Sequence, residues 1–171
     1  MKHPASPSPI LKVFLIALLT SIWVPGFAIG QNAQPIRVGI IGLDTSHSIA
    51  FTKLLNADSD QKQKFRVVCA YPHGSPDIQS STSRIPKYTK QIQSLGVKIV
   101  DSIDALIAEV DAVLLETNDG RIHLKQAIPV LKAGKPVFVD KPAAASLTDV
   151  IAIYEAAAHF VAGIFRISLC D

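Results

Sequence analysis

The sequence predicts a doubly wound α/β domain, a parallel sheet with helices on both faces. Three observations predict it. Short apolar runs alternate with stretches of helical periodicity from residue 37 to about residue 158. Those runs are largely apolar throughout instead of alternating apolar with polar, as in parallel strands covered on both sides. The first run ends in Gly42, and a short polar turn then leads into a helix.

Each element has its own grounds. Arg37-Val38-Gly39-Ile40-Ile41 is the first strand, and residues 46–56 form a helix expected to turn Ile49, Ala50, Phe51 and Leu54 to the sheet. After a polar turn, Phe65-Arg66-Val67-Val68-Cys69-Ala70 is the second strand, with Cys69 as a small core residue. Residues 80–95 read as one helix through Ile85, Tyr88, Ile92 and Leu95, in which Pro86 fits only if it lies in the first turn. Gly96 stops it, and residues 97–100 make a short third strand. Ser102 caps a helix whose stripe is Ile103, Leu106, Ile107 and Val110. Residues 111–116 are the fourth strand, followed by the turn Thr117-Asn118-Asp119-Gly120.

The next helix places Leu124, Ala127, Ile128 and Leu131 on one face and ends at Gly134. Pro129 inside it removes one backbone hydrogen bond. Residues 136–139 are the fifth strand, and Asp140-Lys141-Pro142 follows directly. Ser146 with Asp149 resembles a capping box for a last helix that buries Val150, Ile151, Tyr154 and Ala157 or Ala158. Residues 161–169 are a candidate sixth strand.

Right-handed crossovers bring the loops after strands one, two, four and five to one edge, where ligands of such sheets bind. The polar residues gathered there are Asp44, Ser46, His47, His73, Glu116, Asn118, Asp119, Asp140 and Lys141. The opening strand, glycine turn and helix match the start of a dinucleotide-binding unit, in which helix N–H groups face a phosphate. The glycine fingerprint is broken, however: Asp44 and His47 stand where its second and third glycines belong, and an aspartate there would repel a pyrophosphate. The second strand leads into Tyr71-Pro72-His73-Gly74-Ser75-Pro76, without the acidic residue that usually grips a ribose. Asp44, His47, Glu116 and Asp119 are donor types for a divalent ion. Their spacing fits no known ligand pattern, a solvated acidic rim explains them equally, and no metal is expected.

The chain of 171 residues allows one ordinary domain, and with 49% apolar residues it has enough to build a core. Lys2, His3 and Lys12 precede an apolar stretch over residues 13–24, Pro25 breaks it, and Ala28-Ile29-Gly30 supplies small residues for cleavage. Residues 1–30 are therefore expected to be a signal peptide for export, cleaved after Gly30, with an uncleaved membrane anchor as the alternative. No stable membrane span is expected after cleavage. Loss of Lys2 and Lys12 lowers the formal charge from +3 to +1. No basic run with interleaved aromatics occurs, so nucleic acid is not an expected partner. Cys69 and Cys170 show neither metal nor redox spacing.

From residue 37 to about residue 158 the chain resembles the nucleotide-binding N-terminal domain of the Gfo/Idh/MocA family (glucose-fructose oxidoreductase, inositol dehydrogenase and relatives). Three stretches carry the resemblance. They are Val38-Gly39-Ile40-Ile41-Gly42, then His123-Leu124-Lys125-Gln126-Ala127 leading into Leu131-Lys132-Ala133-Gly134-Lys135-Pro136-Val137, and Asp140-Lys141-Pro142, which matches the family's Glu-Lys-Pro signature with Asp for Glu. The Gly-Leu-Asp-Thr-Ser-His turn and the Asp-Gly-Arg turn at residues 119–121 are similar to a branch often found behind an export signal. The resemblance implies a Rossmann-like fold and NAD or NADP as cofactor. It implies cofactor contacts at Gly42, Asp44, Thr45, Ser46, His47, Glu116, Asn118, Lys141 and Pro142. Lys141, with Asp140 beside it, is implied as the catalytic group near the substrate hydroxyl, and the substrate as a small sugar or polyol.

The sequence departs from the family in two places. The family's Thr-Pro-Asn-x-x-His turn is replaced by the longer, more acidic stretch Glu116-Thr117-Asn118-Asp119-Gly120-Arg121-Ile122-His123. The second family domain, an open β-sheet carrying most substrate contacts, has no counterpart in this sequence, so a truncated C-terminus, an incomplete catalyst and self-association through exposed apolar surface are expected. An exported sugar-binding module without redox activity, and a non-functional fragment, are the competing expectations.

Overall fold

A computed structural model describes residues 34–57 and 64–160, and the backbone of residues 166–167. Residues 1–30 and Cys170 lie outside the described residues, as does most of the candidate sixth strand. Strands β1 (Ile36–Ile41), β2 (Phe65–Tyr71), β3 (Lys98–Ile99), β4 (Ala112–Leu115), β5 (Val137–Val139) and β6 (Arg166–Ile167) form one sheet in the order β3-β2-β1-β4-β5-β6. Every pairing is parallel. The strand order reverses between β1 and β4, so the crevice for a ligand opens where these two strands end.

Helices α1 (Ser46–Asn56), α2 (Gln79–Thr82), α3 (Ile85–Ser94), α4 (Ile103–Glu109), α5 (His123–Lys132) and α6 (Leu147–Phe160) cover the sheet. Alternate residues of β1 serve opposite faces. Val38 and Ile40 pack with Val67, Ala70 and Ile92 under α1 and α3, while Ile41 packs with Leu106, Leu131 and Ile153 under α4, α5 and α6. Gly39 faces the second group, and a Cβ there would lie 2.6 Å from the Leu106 side chain.

Several expectations hold at atomic detail. Ser102 Oγ accepts from Ala105 N at 3.1 Å, and Ser146 Oγ accepts from Asp149 N at 3.1 Å. Cys69 is fully buried, which pushes its thiol up to about 11. Pro129 lies inside α5, and the helix continues past it.

Other expectations need correction. The single helix expected over residues 80–95 is two, α2 and α3, which meet at Ser83 and Arg84 so that Pro86 falls in the first turn of α3. In α1 the buried residues are Ser48 and Thr52, while Ala50 and Leu54 are exposed. Their hydroxyls make this possible by donating along the helix, Ser48 Oγ to Thr45 O at 2.8 Å and Thr52 Oγ1 to Ser48 O at 2.7 Å, so small polar residues face the sheet without an unpaired group. In α6 the inward residues are Ile153, Ala156 and Ala157, and Ile151 and Tyr154 are exposed.

Gly42 sets the geometry at the edge. Its φ is +92°, and a Cβ would stand 2.6 Å from both N and Cα of Thr117. Gly96 also has a positive φ, +81°, but a Cβ there would have nothing within 4 Å. Gly42→Ala therefore meets both backbone strain and a backbone clash, and Gly96→Ala meets only the strain. Urea unfolding is expected to show Gly42→Ala the more damaging by at least about 1 kcal/mol.

Candidate functional site

The ends of β1, β4 and β5 converge at one polar cavity of about 190 Å³, lined by Thr45, Ser46, His47, Arg84, Asn118, Asp140 and Lys141. Backbone bonds hold its floor: Glu116 N donates to Ile41 O at 2.8 Å, and Asp140 N donates to Leu115 O at 2.9 Å. Thr45 is the N-cap residue of α1 but makes no cap bond with its side chain, whose Oγ1 donates to Glu116 O at 3.4 Å. The first turn of α1 therefore opens on the cavity without a side-chain cap. Arg84 and Lys141 put two cations in the lining of the cavity. A helix N-terminus flanked by cations suits an anionic group.

His47 Nδ1 lies 2.5 Å from Asp140 Oδ2, which ties the loop after β5 to the start of α1. The His47 side chain is 40% exposed and that of Asp140 only 8%. Behind them Glu116 is fully buried, and neither of its carboxylate oxygens has a hydrogen-bond partner. Burial pushes its carboxyl up to about 8, and the neighbouring Asp140 adds to the rise. Pro142 is exposed at the corner that follows Lys141.

Other sequence-selected residues do different work. Asp44, expected beside a phosphate, is instead fully buried and turned inward. Its Oδ1 accepts from Asn118 N at 3.1 Å, and a Cβ on Gly74 would stand 2.5 Å from its Oδ2. It joins the ends of β1, β2 and β4, and burial raises its carboxyl. Gly42 likewise packs against Thr117, and its N–H donates to Tyr71 O at 2.9 Å. Asp119 is buried, accepts a short hydrogen bond from Ser75 Oγ and pairs with Arg121, whose guanidinium also grips Asp77. Arg121 first, then Ser75, hold the Asp119 carboxyl down at about 2. Of the four donors considered for a metal, Asp44 and Asp119 therefore turn away from the cavity, whereas His47 and Glu116 come together with Asp140.

A second cavity, of about 220 Å³, opens at the end of β2 between Tyr71, His73, Ile103, Ile122 and Gln126. The His73 carbonyl accepts from Gln126 Nε2 at 3.2 Å, and its ring meets Tyr71 edge-on. The partly apolar walls suit a flat heterocycle.

Two contributors escape the sequence reading. Arg84 sits at the break between α2 and α3, where its Nη1 donates to Asp44 O at 3.4 Å. With those helices read as one, nothing points Arg84 to the edge, although Pro86 two residues later marks the break. His123 is fully buried, with Nε2 donating to Thr117 O at 2.7 Å and Nδ1 at 3.2 Å from Ala143 O. It pins the β4 turn to the loop after β5. Its signal is its place at the start of an amphipathic helix just beyond an acidic turn.

A profile of the Gfo/Idh/MocA oxidoreductases, described as an oxidoreductase family with an NAD-binding Rossmann fold, matches residues 36–160. The chain belongs to the Gfo/Idh/MocA family. Inositol 2-dehydrogenase of Rhodococcus erythropolis is 46% identical over 61 residues, which are 35% of this chain and 17% of that protein. Among solved structures, scyllo-inositol dehydrogenase from Lactobacillus casei, with bound NAD(H) and scyllo-inositol, superposes with a TM-score of 0.59 at 23% identity. That match covers 78% of this chain and 36% of the other. Biliverdin reductase from Synechocystis, in complex with biliverdin and NADP+, gives 0.58 at 22% identity, over 78% of this chain and 37% of the other. These two likenesses show the fold. The chain thus covers little more than a third of either solved protein.

The buried Glu116 gives the site a pH signature. Its ordinary value is 4.5 and its folded value about 8, so between these the folded chain holds a proton that the unfolded chain has lost. Stability then falls as pH rises through that window, by at most about 1.4 kcal/mol per pH unit. Urea midpoints are expected to drop between about pH 5 and pH 8 in the wild type and to drop less in Glu116→Gln. Parallel profiles for the two proteins would contradict this assignment.

Proposed function

We propose that residues 36–160 bind NAD(H) or NADP(H) across the ends of β1, β2, β4 and β5, in the service of an oxidoreductase acting on a small sugar or polyol. The observation that carries this is the uncapped N-terminus of α1 facing a cavity flanked by Arg84 and Lys141. That arrangement fits a pyrophosphate, and the slot beside Tyr71 and Ile103 fits the adenine ring. The inward turn of Asp44 removes the repulsion that its place in the fingerprint implied.

The bound nicotinamide supplies a hydride acceptor or donor. Lys141, exposed on the cavity wall, hydrogen-bonds the oxygen of the substrate alcohol as charge develops there. Asp140 and His47 hold the loop that carries Lys141 against α1. Arg84 and the first turn of α1 hold the phosphates, with Asn118 in the same cavity lining. The sugar or polyol class is supported by the inositol dehydrogenases among the relatives.

Titration of NADH and NADPH, followed by fluorescence, tests this reading. Saturable binding is expected at millimolar concentration or below, weakened about tenfold or more by Arg84→Ala, since each tenfold is about 1.4 kcal/mol and a charged hydrogen bond is worth about that much. Failure of both cofactors to saturate at about 10 mM would reject the reading.

A further inference from the structure

We propose that His47, Glu116 and Asp140 form a binding site for a divalent transition-metal cation, of the zinc or manganese class. One ligand atom from each lies within 4.8 Å of the other two. The three come from the ends of three different strands, β1 by way of its turn, β4 and β5, so the topology of the sheet assembles them.

The second, independent observation is Glu116. It is fully buried, both carboxylate oxygens lack a partner, and one of them points into the cluster. A carboxyl group without a hydrogen bond in a protein interior is costly whether charged or neutral, and such groups are satisfied in folded proteins far more often than not. Among the described residues no side-chain donor bonds it. A protonated Glu116 can share its proton with Asp140, whose Oδ2 is also held by His47, but once ionised Glu116 has no donor among the described residues. A cation satisfies all three groups together.

The donor set selects the ion. Two carboxylates and one imidazole are a mixed oxygen and nitrogen set, which suits zinc, manganese or cobalt(II) better than calcium, with its preference for oxygen alone. Bonds of about 2.1 Å around a tetrahedral centre require donors about 3.4 Å apart. The cluster therefore contracts on binding, and the ion takes the place of the proton between His47 and Asp140. The half-exposed His47 ring is free to make this adjustment. His47 and Asp140 line the cavity together with Thr45, Asn118 and Lys141, so a hydroxyl oxygen of a polar ligand there can complete the shell. The site needs no bound cofactor.

Equilibrium dialysis of the full, untagged chain against zinc, manganese or cobalt(II) alone, with metal analysis of the retained protein, tests the proposal. One equivalent of at least one of these ions is expected per chain. Glu116→Gln and His47→Ala are each expected to weaken retention by at least about tenfold, the lower end of what loss of even an outer contact costs a metal site. His159→Ala, on the far helix α6, is expected to leave retention unchanged. With cobalt, a visible absorption band is expected in the wild type and a shifted or lost band in His47→Ala. Circular dichroism checks that Glu116→Gln is folded, and His47→Ala, at a half-exposed position, carries the test if it is not. No retained ion in the folded wild type, or retention in both variants equal to the wild type's, would overturn the proposal.

Discussion

At Gly42 the end of the first strand passes so close to the Thr117 backbone that no side chain fits between them. The working edge of the domain depends on this seam. Glu116 N donates to Ile41 O, and Asp140 N donates to Leu115 O, so the last residues of β1, β4 and β5 stay in step beyond the regular sheet. Once those ends are level, the residues that follow β4 and β5, Glu116 and Asp140, come together with His47 from the turn after β1. His47, Glu116, Asn118, Asp140 and Lys141 are neighbours for that reason, although up to 94 positions separate them in the chain.

The carboxylates around this seam divide into two groups with different physics. Asp44 and Asp119 are used as ties: Asp44 holds the backbone of Asn118 through its Oδ1, and Asp119 holds Ser75 and Arg121. Ties of this kind stabilise one geometry of the loops. Glu116 has no hydrogen-bond donor among the described residues and meets Asp140 beside His47, and it is there that chemistry remains to be completed. The broken glycine fingerprint has the same logic. Asp44 costs the cofactor cleft nothing because its side chain goes under the turn, where Gly74 leaves it room.

The strands and their parallel pairing are legible in the sequence because apolar runs such as Val38-Gly39-Ile40-Ile41 and Ala112-Val113-Leu114-Leu115 leave few alternatives. The edge where the polar side chains gather is legible too, since right-handed crossovers dictate it. Which side chains point into it is not. Asp44 and Glu116 look alike in the sequence, yet one is tied to a backbone amide and the other is unpartnered, a distinction set by loop packing across the sheet. Helix faces are misjudged where small residues do the burying, as at Ser48 and Thr52, because an apolar stripe carries no record of hydroxyls that satisfy themselves on their own helix. Arg84 is hidden when two helices are read as one.

Hydrogen–deuterium exchange of the chain with and without NADH tests most directly whether the strand ends act as one binding edge. Residues 42–48, 116–121 and 140–142 are expected to gain protection together, since a single ligand spans all three. Protection confined to one of these segments, or appearing instead at the opposite edge of the sheet, would contradict the account.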